Sequence, residues 1–286
     1  MSETTHEQKL TLVIGGTGKT GRRVAEGLTA RNVPVRIGSR SAQPPFDWED
    51  EATWADAVRD VAQAYVTYYP DLAFAGAADR IRSFVELAVA SGVQRLVLLS
   101  GRNEPEAQRA EQIVQSSGAE WTIVRSSFFA QNFSEHFLLD PILAGEVAFP
   151  AGNTAEPLID ADDVADIAIE ALSGDRHVGQ LYEVTGPRLL TFEEAVDEIA
   201  KATGRDIRYV PISLDEYAAG LTEAGLPADY VTELTALFAE ILDGRSAYLS
   251  DGVQRALSRP PREFTDYVRN AAATGVWSAN DDGDVR

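Results

Sequence analysis

The sequence predicts an α/β fold: a doubly wound parallel sheet followed by a smaller, mostly helical C-terminal domain. Three observations predict it. A strand, a glycine-rich turn and a helix open the chain; short apolar runs then alternate with helical-period segments up to about Asn132; past that point the rhythm changes.

Residues 10–14 are a short apolar run that ends in Gly15-Gly16-Thr17-Gly18-Lys19-Thr20-Gly21. Residues 22–31 follow with Val24, Ala25 and Leu28 at helical spacing, and residues 33–37 give a second strand, closing a βαβ unit of about 30 residues. Residues 64–67 read as a strand. Residues 78–91 read as a helix through Ile81, Phe84, Val85 and Ala88, stopped by Gly92. Residues 95–99 are almost wholly apolar, as a strand buried on both faces of a parallel sheet must be. A helix over 105–117 opens on Pro105 and is followed by Gly118, and residues 121–125 form the next strand. Beyond Asn132 come an acid-rich helix over 160–172, a strand over 181–184, and a Thr191/Glu194 capping box that opens a helix running to Thr203. From Ile207 the segments are mostly helical, punctuated by Pro211, Gly225-Leu226-Pro227 and Pro260-Pro261. The expected domains are residues 1–157 for the sheet and 158–286 mainly for the smaller domain, with the 181–184 strand returning to the main sheet. The acidic tail after Trp277 is expected to be disordered.

Composition removes several functions. The chain has 286 residues, 25 Lys+Arg against 45 Asp+Glu, a net charge of −20 and no cysteine. Disulfides, thiolate zinc sites and cysteine nucleophiles are thereby excluded, and His6, His136 and His177 are too scattered to suggest a metal motif. So acidic a surface repels phosphate backbones, and Lys9, Lys19 and Lys201 are the only lysines, so direct nucleic-acid binding is not expected. No apolar run approaches the ~18 residues of a membrane helix, and the polar N-terminus carries no apolar signal segment. A soluble, cytoplasmic chain without a membrane partner is expected.

The glycine turn satisfies the spacing Gly16-x-Gly18-x-x-Gly21 between a strand and a helix. Such a turn lets a pyrophosphate approach the backbone and meet the N–H groups of the helix start, so it predicts dinucleotide binding. Gly18-Lys19-Thr20 imitates the end of a P-loop, but that motif needs a glycine five residues earlier, where Val13 stands. The second strand ends in Arg36-Ile37-Gly38-Ser39-Arg40, with no acid before Asp47 to take the ribose hydroxyls of NAD. Ser39 and Arg40 suit a 2′-phosphate, with Lys19 or Arg22 adding charge. NADP(H) is therefore expected ahead of NAD(H).

With the loop, Ser39-Arg40, Leu98-Leu99-Ser100-Gly101-Arg102, Trp121-Thr122-Ile123-Val124-Arg125 and Phe128-Phe129-Ala130-Gln131-Asn132-Phe133, the chain resembles the NmrA-like family of atypical short-chain dehydrogenase/reductases over about residues 10–277. The resemblance implies an NAD(P)-binding Rossmann domain, with substrate in a cleft between it and the smaller domain. Family members include quinone, enone and other carbonyl reductases, tailoring enzymes of aromatic polyketide pathways, and redox sensors. Ordinary reductases of the superfamily use a Tyr-x-x-x-Lys pair, yet between Pro70 and Leu181 this sequence has neither tyrosine nor lysine. Several NmrA-like reductases place a lysine four residues ahead of a glutamate; here the glutamate is Glu111 and the lysine position is Ala107.

Ligands of open α/β sheets bind at the carboxyl ends of the strands. Those ends carry Tyr68, Tyr69 and Pro70, then Ser100 to Arg102, then Ser126 to Asn132. The cofactor candidates are Gly15, Gly16, Thr17, Gly18, Lys19, Thr20, Gly21, Ser39, Arg40, Tyr69, Pro70 and Ser100. The catalytic candidates are Arg102 to stabilise an oxyanion, Ser100 to orient it, Asn132 to hold the nicotinamide or pyrophosphate, and Tyr68 and His136 in reserve. Structural readings compete: Arg102 pairing with Glu104 or Glu106, Ser100 and Ser126 capping turns, the Phe128–Phe133 rings as core. Asp160, Asp162 and Asp163 complement a helix dipole. The expected function is NAD(P)H-dependent hydride transfer to a quinone, enone or aromatic ketone, a small aromatic substrate, by a monomer or homodimer. The alternative is a non-catalytic NAD(P)-binding redox sensor acting through a protein partner.

Overall fold

The computed structural model describes residues 9–278. The chain alternates through β1 (Thr11–Ile14), α1 (Lys19–Ala30), β2 (Val35–Gly38), α2 (Trp54–Val58), β3 (Gln63–Val66), α3 (Ala77–Ala90), β4 (Arg95–Gly101), α4 (Pro105–Gln115) and β5 (Glu120–Ser126). There follow α5 (Asn132–Glu135), α6 (Leu139–Ala144), β6 (Glu146–Phe149), β7 (Ala155–Glu156), α7 (Ala161–Ser173), β8 (Gln180–Val184), β9 (Leu190–Thr191) and α8 (Phe192–Thr203). The last elements are β10 (Arg208–Pro211), α9 (Leu214–Glu223), α10 (Ala228–Ile241), α11 (Gly252–Leu257) and α12 (Phe264–Ala273).

Among the described residues six strands form one parallel sheet in the order β2-β1-β3-β4-β5-β8. On one face Leu12, Ile14, Val66, Leu96 and Leu98 pack against Ile81, Phe84 and Val85 of α3 and Val114 of α4. On the other, α1 packs against α7, which also lies against β3, β4 and β5. Burying both faces is what the unbroken apolar strands require, at roughly 1.5–3 kcal/mol for each large side chain removed from water. β8 pairs with β5 from Thr122↔Gln180 to Ser126↔Val184, so the 181–184 strand does return to the main sheet.

The chain divides into two compact units, and neither is continuous in sequence. The first comprises residues up to Ser126, Ala161–Val184 and Ser250–Arg259; the second comprises Ser127–Asp160, Thr185–Leu249 and the residues from Pro260 on. This differs from a single boundary at residue 157. α7 has Val164, Ile167, Ala168 and Ala171 buried and β8 needs a strand to pair with, so both belong to the sheet. The second unit also holds two strand pairs that the sequence does not announce, β6 with β10 and β7 with β9. Its core is a cluster of rings centred on Phe149, 4.9 Å from Phe192 and 5.1 Å from Phe238 between centroids. Trp277 is buried there and its indole N–H donates to the Phe133 carbonyl at 2.8 Å. The acidic tail from residue 279 lies outside the described residues. Among the described residues no helix is long and apolar enough to cross a membrane, and no cluster of histidine and acidic side chains is placed to hold a metal.

Candidate functional site

The glycine turn is built by three different constraints. Gly15 has φ +67°, a left-handed conformation, and its N–H donates to the Gly38 carbonyl at 2.9 Å. A Cβ on Gly21 would stand 2.1 Å from the Gly15 carbonyl oxygen, so α1 rests directly on the turn. Gly18 is different: its backbone is ordinary (φ −89°), and a Cβ there would meet nothing closer than the Gly15 oxygen at 3.3 Å. Of these three glycines, Gly18 is the one the turn itself constrains least. The space a side chain would fill lies at the start of α1, where a pyrophosphate would meet the first-turn N–H groups, so the turn fits a dinucleotide.

The other predicted loop residues divide in two. Thr17 and Gly18 are exposed, whereas Gly16, Thr20 and Gly21 are buried, Thr20 beside the Tyr65 phenol of β3. Lys19 lies in the field of Asp71, whose carboxyl is pushed up by burial and drawn back by the Ala73 amide and the Lys19 charge. At the end of β2, Ser39 is half-buried with its hydroxyl 3.3 Å from that of Ser41, and Arg40 is exposed. Tyr69 and Pro70, joined by a cis peptide bond, follow β3, and the Arg40 guanidinium stands 5.8 Å from the centre of the Tyr69 ring.

The polar residues at the ends of β4 and β5 form one partly buried network. Parallel register sets Ser100 beside Arg125 and Arg125 beside Glu183 of β8, on one face of the sheet. The Ser100 hydroxyl donates to Glu111 Oε1 of α4 at 2.7 Å. Arg125 donates from Nε to the same oxygen at 2.9 Å and from Nη2 to Glu111 Oε2. Arg125 Nη1 also reaches Glu183 Oε2 at 3.4 Å, and Arg102 Nε reaches Glu183 Oε1 at 3.3 Å. Hydrogen bonding to Glu111 holds the Arg125 guanidinium above its ordinary range.

This network bears on two of the expected roles. Ser100 cannot give its one proton to an oxyanion while giving it to Glu111, so toward a ligand it offers lone pairs. Arg102 has a side chain only 2% exposed and is ion-paired with Glu183. Sequence reasoning missed Glu183 altogether.

The remaining candidates are dispersed. Tyr68 is half-buried against Trp48, ring centres 5.0 Å apart, and burial pushes its phenol up with Arg80 opposing. Asn132 and His136 belong to the second unit: Asn132 is buried at the start of α5, and His136 is exposed with its ring edge-on to Phe137 at 5.2 Å. The three aspartates near the start of α7 are engaged in structure. Asp160 accepts from Gln131 Nε2 at 2.7 Å, Asp162 pairs with Arg23, and Asp163 pairs with Arg259 at 2.7 Å.

A parallel doubly wound sheet with a glycine cradle at the end of β1 and a cation at the end of β2 is the arrangement of a Rossmann-type dinucleotide-binding protein. The NmrA-like family model matches residues 105–267, and the chain belongs to the NmrA-like family. It is 29% identical to agroclavine dehydrogenase of Claviceps fusiformis over 94% of this chain and 99% of that protein. It is also 29% identical to NAD(P)H azoreductase of Xenophilus azovorans, over 93% and 99%. The Escherichia coli NADPH-dependent quinone oxidoreductase complexed with NADPH shares the fold, with a TM-score of 0.74 at 20% identity over 91% of this chain and 99% of that one. Oxidoreductases thus match the chain along nearly its full length, and with its own dinucleotide cradle it is an NAD(P)-dependent oxidoreductase.

Proposed function

We propose that the protein is a cytoplasmic NADPH-dependent reductase whose acceptor is a delocalised, planar molecule: a quinone, an enone or an aromatic ketone. The observation that carries this reading is the commitment of the donors at the strand ends. Ser100 gives its proton to Glu111, and Arg102 and Arg125 are bound to carboxylates. Reducing an isolated ketone leaves a localised alkoxide that needs a positioned acid. A conjugated acceptor spreads the same charge over several atoms, and water suffices to protonate it. The azoreductase relative, by its name, reduces an azo group.

The backbone of Gly15 to Gly21 would hold the pyrophosphate, with Ser39 and Arg40 at the 2′-phosphate. Bound there, the reduced nicotinamide supplies the hydride. Burial holds the Tyr68 phenol above its ordinary range, so at neutral pH it is protonated and would offer a bound acceptor a hydrogen bond. The oxidoreductase relatives favour turnover over a purely sensory role.

Stopped-flow absorbance at 340 nm tests the reading with NADPH, a panel of benzo- and naphthoquinones, and cyclohexanone. Fast NADPH consumption with quinones and none with cyclohexanone is expected. Equal rates with both would overturn the delocalisation argument, and bound NADPH that survives every acceptor would restore the sensor.

A further inference from the structure

Tyr69 is the most exposed large apolar side chain among the described residues, at 67%, so burial does not explain its position. Its ring faces Arg40, and Arg40 makes no ion pair among the described residues, in a chain of net charge −20. Arg23, Arg102, Arg125 and Arg259 all have carboxylate partners. The two side chains come from either side of β1: Arg40 follows β2, Tyr69 follows β3, and β1 lies between those strands. They therefore meet beyond the carboxyl end of β1, where the glycine cradle begins.

We propose that Tyr69 is a specificity-determining positioning residue that holds Arg40 ready for the 2′-phosphate of NADP(H). The inference rests on the NADPH reading above. A guanidinium has two kinds of surface. Its flat face stacks on an aromatic ring, while its edge carries the N–H fork that binds phosphate, so both contacts coexist. An exposed arginine otherwise surrenders much rotamer freedom on binding; the ring takes up that loss beforehand. NAD(H), without the 2′-phosphate, gains nothing from it.

Calorimetry with NADP+ and NAD+ on the full chain tests the proposal with Y69L, Y69F, R40A and the double variant R40A/Y69L. Y69L is expected to weaken NADP+ binding about two- to five-fold, the scale of an exposed cation–π contact, and to leave NAD+ unchanged. Y69F keeps the ring and should match the parent. R40A should lose roughly 10- to 150-fold for NADP+ alone, and the double variant should lose no more than R40A. An equal loss of both cofactors in Y69L would mean that the ring contacts the shared adenosine; unchanged or tighter NADP+ binding would mean that it does not prepare Arg40. Either result overturns the proposal while leaving the NADPH reading intact. That reading fails separately if R40A binds NADP+ like the parent.

Discussion

Replacing Arg125 or Arg102 by methionine separates a structural network from a catalytic cation. Arg125→Met removes both hydrogen bonds from the guanidinium to Glu111, whose side chain is 4% exposed, and leaves that carboxylate with the Ser100 hydroxyl. Stranding a buried charge in this way costs about 3–5 kcal/mol. Arg102→Met is milder, because Glu183 is 23% exposed and keeps Arg125 at 3.4 Å. Solvent screening and the surviving partner reduce its cost to about 1–2 kcal/mol. At about 2–4 °C of Tm per kcal/mol, thermal unfolding followed by circular dichroism should fall by roughly 10 °C for Arg125→Met and by roughly 4 °C for Arg102→Met. NADPH oxidation by the best quinone, measured well below both midpoints, should change only a few-fold in Arg102→Met. A parental Tm combined with a kcat loss of ~100-fold would refute this reasoning: it is the signature of a guanidinium acting on a developing oxyanion.

Gly18→Val should abolish NADPH binding in a fluorescence titration while keeping the parent's circular dichroism, whereas Gly21→Ala should damage the turn itself, since its Cβ would stand 2.1 Å from the Gly15 oxygen. Parental NADPH affinity in Gly18→Val would end the pyrophosphate assignment. The buried His177 imidazole, 2.9 Å from the Tyr182 hydroxyl, is held below its ordinary pKa by burial first and then by the Arg176 and Arg95 charges, with Glu170 opposing. The unfolded chain therefore binds this proton more readily than the folded one. His177 should contribute its full stability above about pH 6.5 and lose it as pH falls from there toward the depressed folded value. His177→Gln should flatten urea-derived stability between pH 7 and pH 5, and an unchanged slope would show that the imidazole does not titrate with unfolding.

Legibility in the sequence followed the range of the interactions. The β1 turn, the Pro105 helix start and the Thr191/Glu194 capping box are local, and each stands where residue spacing put it. Leu96, Val97 and Leu98 read as a doubly buried strand and are one. The catalytic-end network was not legible, because Arg102 and Glu183 are 81 positions apart and meet only through the β5–β8 register. The segment around α11 carried one faint signal, Gly252, where a Cβ would stand 2.0 Å from the Glu183 carbonyl oxygen. Without the fold, that glycine is indistinguishable from any loop glycine. The β6–β10 pair was hidden by Pro211, which reads as punctuation yet occupies the last position of a two-stranded sheet.

The interleaving of the two units constrains how the protein is made. The chain changes unit at Ser126/Ser127, Asp160/Ala161, Val184/Thr185, Leu249/Ser250 and Arg259/Pro260. As the polypeptide leaves the ribosome, the glycine cradle and five of the six strands emerge early, but β5 stays an open sheet edge until β8 has been synthesised. Much of the ring cluster around Phe149, including Phe192 and Phe238, is translated later still. The first unit is complete in sequence only at Arg259, after most of the second has been made, and the second is completed by the residues that follow. No single cut in the backbone would release a whole Rossmann unit, and exchanging units between relatives would require several junctions matched at once.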